Sequence, residues 1–320
     1  EAAPATGCAT SPPENVLPGV ARESCQWQST AEQMVAYQDK VVLVGHDGEN
    51  FEMRAVDGKT GKQLWSTGPL PGLVEAPYTP QTGDAARWLR VIHHDGKPYA
   101  ALTYTTEKGS AAAFMPMDAN GTTEPVVWEA DEILYESSKD DAVVFYDSMR
   151  SEGRQIDPES GEAIDLPVTE YRRIEAVGDG WFAEGTDFSF VVRDVGGAEL
   201  WDPDGDESIS PGHGVDYRLL IGSYRDYVVV LSVVRPPEGG PKTVVSVHDK
   251  TGGVIAQTDF DDRATFDATV LPSPNEKWLF VGTSSAAAAV NVETGEAHQL
   301  AEAVRAEPAQ AETRAPLHVD

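Results

Sequence analysis

Cysteine is nearly missing from this chain. Cys8 and Cys25 are the two in 320 residues, with no C-x-x-C spacing and no histidine beside either, which removes the paired-cysteine zinc and dithiol redox patterns. Basic residues are scarce as well. Lys and Arg number 24 against 53 Asp and Glu, a formal charge of −29 at pH 7, and such a surface repels DNA, RNA and anionic lipid, so nucleic acid is not an expected partner. No apolar run reaches the ~20 residues that cross a bilayer as a helix. Helical spacing of apolar residues is not sustained anywhere between residues 31 and 300. The catalytic patterns G-x-S-x-G and H-E-x-x-H are missing too.

The chain does have enough apolar residues, 40%, to build a large core. One stretch looks like chemistry at first sight. In "AVDGKTGKQLW", residues 55–65, Gly58, Lys59 and Thr60 match the end of a phosphate-binding loop, but Met53 stands where its first glycine belongs. The Gly and Pro of the following "KQLWSTGPLPG" forbid the helix that such a loop must enter. The alternating "FEMRAVD", the turn-forming "DGKTG" and the strand-like "KQLW" predict a β-hairpin instead.

That hairpin returns along the chain. Loose copies are "PMDANGTTEPVVW", "QIDPESGEAIDL", "VRDVGGAELW", "VHDKTGGVIAQ" and "VNVETGEAHQL", anchored at Asp118, Asp157, Asp194, Asp249 and Val292 after the first at Asp57. The three short intervals lie near the roughly 40 residues of a four-stranded propeller blade, and the two long ones each hold one blade plus long loops. Before several anchors stand strand pairs such as "KVVLVGHDGENFEMRAVD" and "KWLFVGTSSAAAAVNV". The expected fold is an all-β propeller of four-stranded antiparallel blades over residues 31–302. Six blades is the direct count, and seven result if residues 20–30 and the C-terminal tail 303–320 build another.

Strand, Asp-x-x-Thr/Ser-Gly turn, strand and Trp together resemble the PQQ-like β-propeller repeat, shared by quinoprotein alcohol dehydrogenases and by the BamB-type outer-membrane assembly lipoprotein. In that family the tryptophan docks between neighbouring blades, which implies packing roles for Trp65, Trp128 and Trp201; Asp165, Gln257 and Leu300 replace it in the other copies. The enzymatic members hold PQQ over a tryptophan floor with calcium and a disulfide between adjacent cysteines. Adjacent cysteines are missing here, so the resemblance implies a non-catalytic member without PQQ. The sialidase Asp box is not matched either, because Ala55 and Val192 stand where it needs Ser.

One loop has a spacing suited to a metal. In "WDPDGDES" the oxygens of Asp202, Asp204, Asp206 and Ser208 alternate at i, i+2, i+4 and i+6 as calcium ligands do, with Gly205 to ease the curvature. His213 stands where an EF-hand has its bidentate Glu, and the competing reading, an acidic hydrophilic loop after a strand, is preferred. His93 and His94 are adjacent, so in a strand they face opposite ways and cannot share one metal; a solvated or capping role is expected for both, and a turn role for Asp140 and Asp141. Asn120 to Thr122 matches a glycosylation acceptor, but Asn-Gly is also what a tight turn wants.

Residues 1–30, rich in Ala, Pro and Thr, are expected to be a linker. Cys8 and Cys25 have two readings, one disulfide in an oxidising compartment or a lipidated Cys8 after a lipoprotein-like "ATGC", and the disulfide is preferred. The functional expectation is an extracytoplasmic, membrane-tethered, monomeric scaffold that binds a protein partner. The alternatives are a small-ligand or calcium-dependent enzyme at the central channel and a sensor ectodomain. Loops 69–86, 202–215 and 235–242 are expected to carry the contacts.

Overall fold

Runs such as "YVVVLSVVR" and "TVVSVH" can bury both of their faces only as strands flanked on either side, because β-branched side chains alternate across a strand. The computed structural model builds the chain in that way. It describes residues 31, 33–47, 50–71, 88–132, 134–136, 141–146, 151–170, 172–186, 189–204, 214–260, 269–273, 275–282 and 287–300. Regular structure among these residues is entirely β.

The first sheet is a meander of β1 (Gln33–Tyr37), β2 (Lys40–Asp47), β3 (Asn50–Asp57) and β4 (Gln63–Ser66), to which β5 (Leu70–Pro71) adds beside β3. The second holds β6 (Trp88–His94), β7 (Lys97–Thr105) and β8 (Ser110–Pro116). The two residues of β9 (Gly121–Thr122) return to the first sheet and pair in parallel with β4, while β10 (Val126–Glu129) completes the second. The third is β11 (Tyr135–Glu136), β12 (Val144–Tyr146), β13 (Gly153–Ile156) and β14 (Ala163–Leu166). The fourth is β15 (Arg173–Gly178), β16 (Trp181–Thr186), β17 (Ser189–Asp194) and β18 (Glu199–Trp201). The fifth is β19 (Gly214–Tyr224), β20 (Tyr227–Arg235), β21 (Lys242–Asp249) and β22 (Val254–Phe260). The sixth is β23 (Thr269–Pro272), β24 (Trp278–Gly282), β25 (Ala287–Asn291) and β26 (Ala297–Leu300). The described residues are thus all-β, and the sheets follow one another in chain order, as the repeats predict.

The chain divides into two units. The first contains residues up to Val91 and Ala100–Asp131; the second contains Ile92–Tyr99, the tip of the β6–β7 hairpin, and everything from Glu132 to Ala309. In the first unit Phe51, Met53 and Trp65 of the first sheet pack against Leu102, Tyr104 and Met115 of the second. Small Ala100, Ala111 and Ala113 lie among them, which lets the large rings fill the gap, and fully burying one such apolar side chain contributes roughly 1.5–3 kcal/mol.

In the second unit the fourth and fifth sheets are each sandwiched between two neighbours. Val228, Val230 and Val234 of β20 face Trp181, Val192 and Trp201 of the fourth sheet. The intervening Val229, Leu231 and Val233 face Leu279, Val281, Ala288 and Val290 of the sixth. Period-two alternation therefore turns one continuous apolar strand into glue for two interfaces. Ala142, Val144 and Tyr146 meet Ile174 and Phe182 between the third and fourth sheets in the same manner.

The repeated turns share one device, a side-chain oxygen that caps the loop. Asp57 Oδ1 accepts the N–H groups of Lys59 and Thr60 and the Thr60 hydroxyl, while the Asp57 amide and carbonyl pair with Lys62 and Gly61. Asp157 repeats the backbone pairs and both amide contacts, whereas the Asp194 and Asp249 turns close one residue sooner, with Asp249 Oδ1 accepting from Thr251 and Gly253. The last copy corrects the expected anchor. Asn291, not Val292, takes the Asp position, accepting from Glu293 and Thr294 N–H, because an amide oxygen caps this turn as a carboxylate does. The second copy departs more: β8 stops at Pro116, two residues before Asp118, and the chain leaves to add β9 to the first sheet.

Candidate functional site

The first hairpins β1–β2, β6–β7, β15–β16 and β19–β20 close with two-residue turns, where strand twist demands positive φ, and β23–β24 closes with a longer one. Among the described residues the non-glycine residues with positive φ are Gln38, Asp95, Arg225 and Glu276, and all four stand at these first turns. In an L-residue that conformation costs about 1–2 kcal/mol, and it is held only where the surroundings fix it. Three of the four belong to the second unit, and there the turns converge on one buried polar cluster.

His93, at the tip of the β6–β7 hairpin, is the centre. Its side chain is 2% exposed. Nδ1 lies 3.1 Å from Asp141 Oδ2, ahead of β12, and Nε2 lies 2.7 Å from Glu276 Oε1, in the β23–β24 turn. The Tyr224 hydroxyl donates to Glu276 Oε1, and the Tyr224 ring meets the imidazole edge-on, centroids 5.7 Å apart. The backbone N–H of Arg225 donates to Asp141 Oδ2 at 2.6 Å, and the Arg225 guanidinium is 4.0 Å from Glu276 Oε2. Around this centre Asp179 of the β15–β16 turn accepts the Asp95 and Gly96 amides, both at 3.1 Å. Trp181 Nε1 donates to the Arg225 carbonyl at 2.9 Å.

The electrostatics follow from this geometry. Burial alone would push the imidazole down, but hydrogen bonds and charge from Asp141 and Glu276 outweigh it and raise His93 to about 9. Burial pushes the Asp141 carboxyl up, opposed by His93 and the Arg225 amide; for the pair the imidazolium dominates, since two carboxylates flank one ring. Burial and the Glu276 carboxylate hold the Tyr224 hydroxyl protonated far beyond its usual range. With His93 raised to about 9, the centre at neutral pH is an imidazolium flanked by the Asp141 and Glu276 carboxyl groups, with a guanidinium at the rim.

Beside it sits a looser group. His94 lies 3.8 Å from Asp157 and 4.0 Å from Asp179, and Glu159 accepts both Lys97 Nζ and the Tyr99 hydroxyl. Adjacent His93 and His94 do face different partners, as strand alternation requires. The expected solvated role for His93 and Asp141 is overturned, since both are buried and bonded to each other, while Asp141 does stand at a bend as expected. Glu276, Tyr224 and Arg225 escaped the sequence reading altogether. The signal was available in "HHDGK", "SYRDY" and "NEKW", the first turns of the second, fifth and sixth sheets.

The other predicted residues are placed as follows. Trp65 is fully buried at the end of β4, and Trp201 is 7% exposed at the end of β18 between the fourth and fifth sheets. Trp128 in β10 is half-buried, opposite Ala112. Asp202 and Asp204 are exposed, and the Asp204 amide donates to Asp202 Oδ1 at 2.8 Å. Asp206, Ser208, Cys8, Cys25 and Asp140 lie outside the described residues. Among the described residues no group of three or more His, Cys, Asp or Glu is arranged to hold a metal ion, and no helix is long and apolar enough to cross a membrane. Asn120 is exposed, and its amide donates to the Asp118 carbonyl.

No family model matches the chain, and no curated protein matches it in sequence. Solved structures do resemble it in shape. A prolyl endopeptidase is similar at 10% identity and a TM-score of 0.47, over 83% of this chain and 41% of that one. Hsv2 of Kluyveromyces lactis is similar at 10% identity and 0.41, over 88% and 89%. The quinohemoprotein alcohol dehydrogenase ADHIIG of Pseudomonas putida HK5 is similar at 14% identity and 0.29, over 82% and 51%. The chain spans less than half of the endopeptidase it resembles.

Proposed function

We propose that the six consecutive meanders close into a β-propeller of the PQQ-like, BamB-like type that acts as an extracytoplasmic protein-binding scaffold, tethered to a membrane through the linker-like residues 1–30. The observation that carries this reading is the internal saturation of the polar centre. His93 has a carboxylate at each ring nitrogen, Glu276 accepts Tyr224, and Asp141 accepts the Arg225 amide. Groups tied to one another in this way join turns; a general acid or base needs an accessible atom for its substrate.

Binding then falls to loops at the other end of each sheet, where second and third strands connect and where the chain passes to the next sheet. The fifth sheet offers the longest such end. β19 and β20 run 11 and 9 residues, Gly214 pairs with Arg235, and the exposed "PEGGP" of residues 237–241 lies between β20 and β21. The partner is expected to present basic groups to so acidic a protein.

The test is site-specific photo-crosslinking of the full-length protein in its own cells, with the probe at Glu238 or, as a control, at Asn120. A single adduct from Glu238 that purified protein competes away supports the scaffold reading. Equal adducts from both positions, or none from Glu238, overturn it. The enzyme and sensor alternatives would gain if calcium binds at Asp202 and Asp204.

A further inference from the structure

We infer that His93 is the pin of a charge-dependent latch: while its ring carries both N–H groups it ties the β23–β24 turn, through Glu276, to Asp141 and the β19–β20 turn, and loss of one proton frees the Glu276 turn.

The geometry dictates the direction. An imidazolium donates from both nitrogens, so it satisfies Asp141 at 3.1 Å and Glu276 at 2.7 Å together. A neutral ring has a single N–H, and one carboxylate must then face a lone pair across the same short distance, which in a buried site is strongly unfavourable. Each carboxylate keeps one further donor, the Arg225 amide on Asp141 and the Tyr224 hydroxyl on Glu276, but the Asp141 side chain is 3% exposed against 11% for Glu276, so Glu276 is the one that can turn to water. Glu276 sits on a turn with φ of +59°, so release also relieves backbone strain.

The titratable and charged groups around the pin, among the described residues, are Asp141, Glu276, Tyr224 and Arg225, with Asp179 behind Asp141 and His94 and Asp95 on its own hairpin. Tyr224 donates its proton to Glu276 and does not compete for the ring. Arg225 is a cation that remains beside Glu276 once His93 is neutral, with its guanidinium 4.0 Å from Glu276 Oε2 at the rim.

Because His93 is raised from 6.5 to about 9, the latch contributes fully below pH 6.5 and loses its contribution as pH rises through 9. The test is urea unfolding of the full chain from pH 6.5 to 9.5, together with histidine-ring NMR. The wild-type midpoint should fall steadily across that interval. In His93→Gln it should be flat, and in Glu276→Gln it should be flat as well, because a glutamine amide can donate to a neutral ring. The His93 resonance should titrate near pH 9. A pH slope shared by the wild type and both variants overturns the latch, as does a His93 resonance that titrates at or below 6.5. Should the variants fail to fold, the wild-type ring titration decides by itself.

Discussion

Trp201 stacks on His248, ring centroids 4.6 Å apart and planes 28° from parallel, at the seam between the fourth and fifth sheets. Phe190 meets the same indole edge-on at 5.7 Å. The imidazole below is pinned by the Ser246 hydroxyl at 2.8 Å and the Gly252 carbonyl at 3.1 Å, so the indole rests on a fixed floor.

Trp201→Ala should therefore cost about 3–5 kcal/mol, the usual range for emptying a packed aromatic site, read as a lower urea midpoint. A smaller loss than that of an exposed control such as Phe280→Ala would refute the packing role.

Gly252 is the second way to disturb this seam. It has φ of +92°, and a Cβ there would come 2.4 Å from Trp201 Cδ1. Gly252→Ala should destabilise by roughly 2–4 kcal/mol through backbone strain plus overpacking. Combined with Trp201→Ala it should cost less than the sum, since the clash is gone, and a double-mutant cycle measures this.

The repeated turn predicts an acid limb. Burial pushes the Asp249 carboxyl up, but the Thr251 hydroxyl, the Gly253 and Thr251 amides and the His248 charge together bring it below its ordinary value. Its stabilisation is present above pH 3.8 and lost as pH falls through the depressed value. Asp249→Ala should cost about 1 kcal/mol at pH 7 and converge with wild type in acid. Asp249→Asn should cost less at pH 7, since Asn291 already does this work in the last copy.

At Asp202 and Asp204 the hydrophilic-loop reading predicts no saturable heat when chelator-treated protein is titrated with Ca²⁺. Saturable heat that disappears in Asp204→Ala would establish a calcium site over residues 202–208.

Replacing residues 237–241 by a Gly/Ser loop of equal length should leave the thermal midpoint within ~2 °C of wild type, because these residues are exposed and lie between strands. A collapse in stability would show that the loop belongs to the framework.

Much of the strand pattern was legible in the sequence. Alternation along "NFEMRAVD" and the Asp-x-x-Thr-Gly turn are local features, fixed by side-chain period and by which residues tolerate positive φ. The same turn chemistry explains the one-residue error at Val292: the anchor is a side-chain oxygen, which Asn291 supplies and a valine cannot. Detachment of β9 from the second hairpin was not legible, since a two-residue parallel pairing leaves no periodic trace.

The polar centre was hidden for a different reason. His93, Asp141, Tyr224 and Glu276 lie as far as 183 positions apart in the chain, and each by itself looks like an ordinary turn or strand residue. By itself the sequence determined an acidic chain of repeated β-hairpins, because composition, period and turn chemistry are properties of neighbours. Tertiary structure alone decided which first turns meet, and with that the burial that turns a surface-like histidine into a charged pin between two carboxylates.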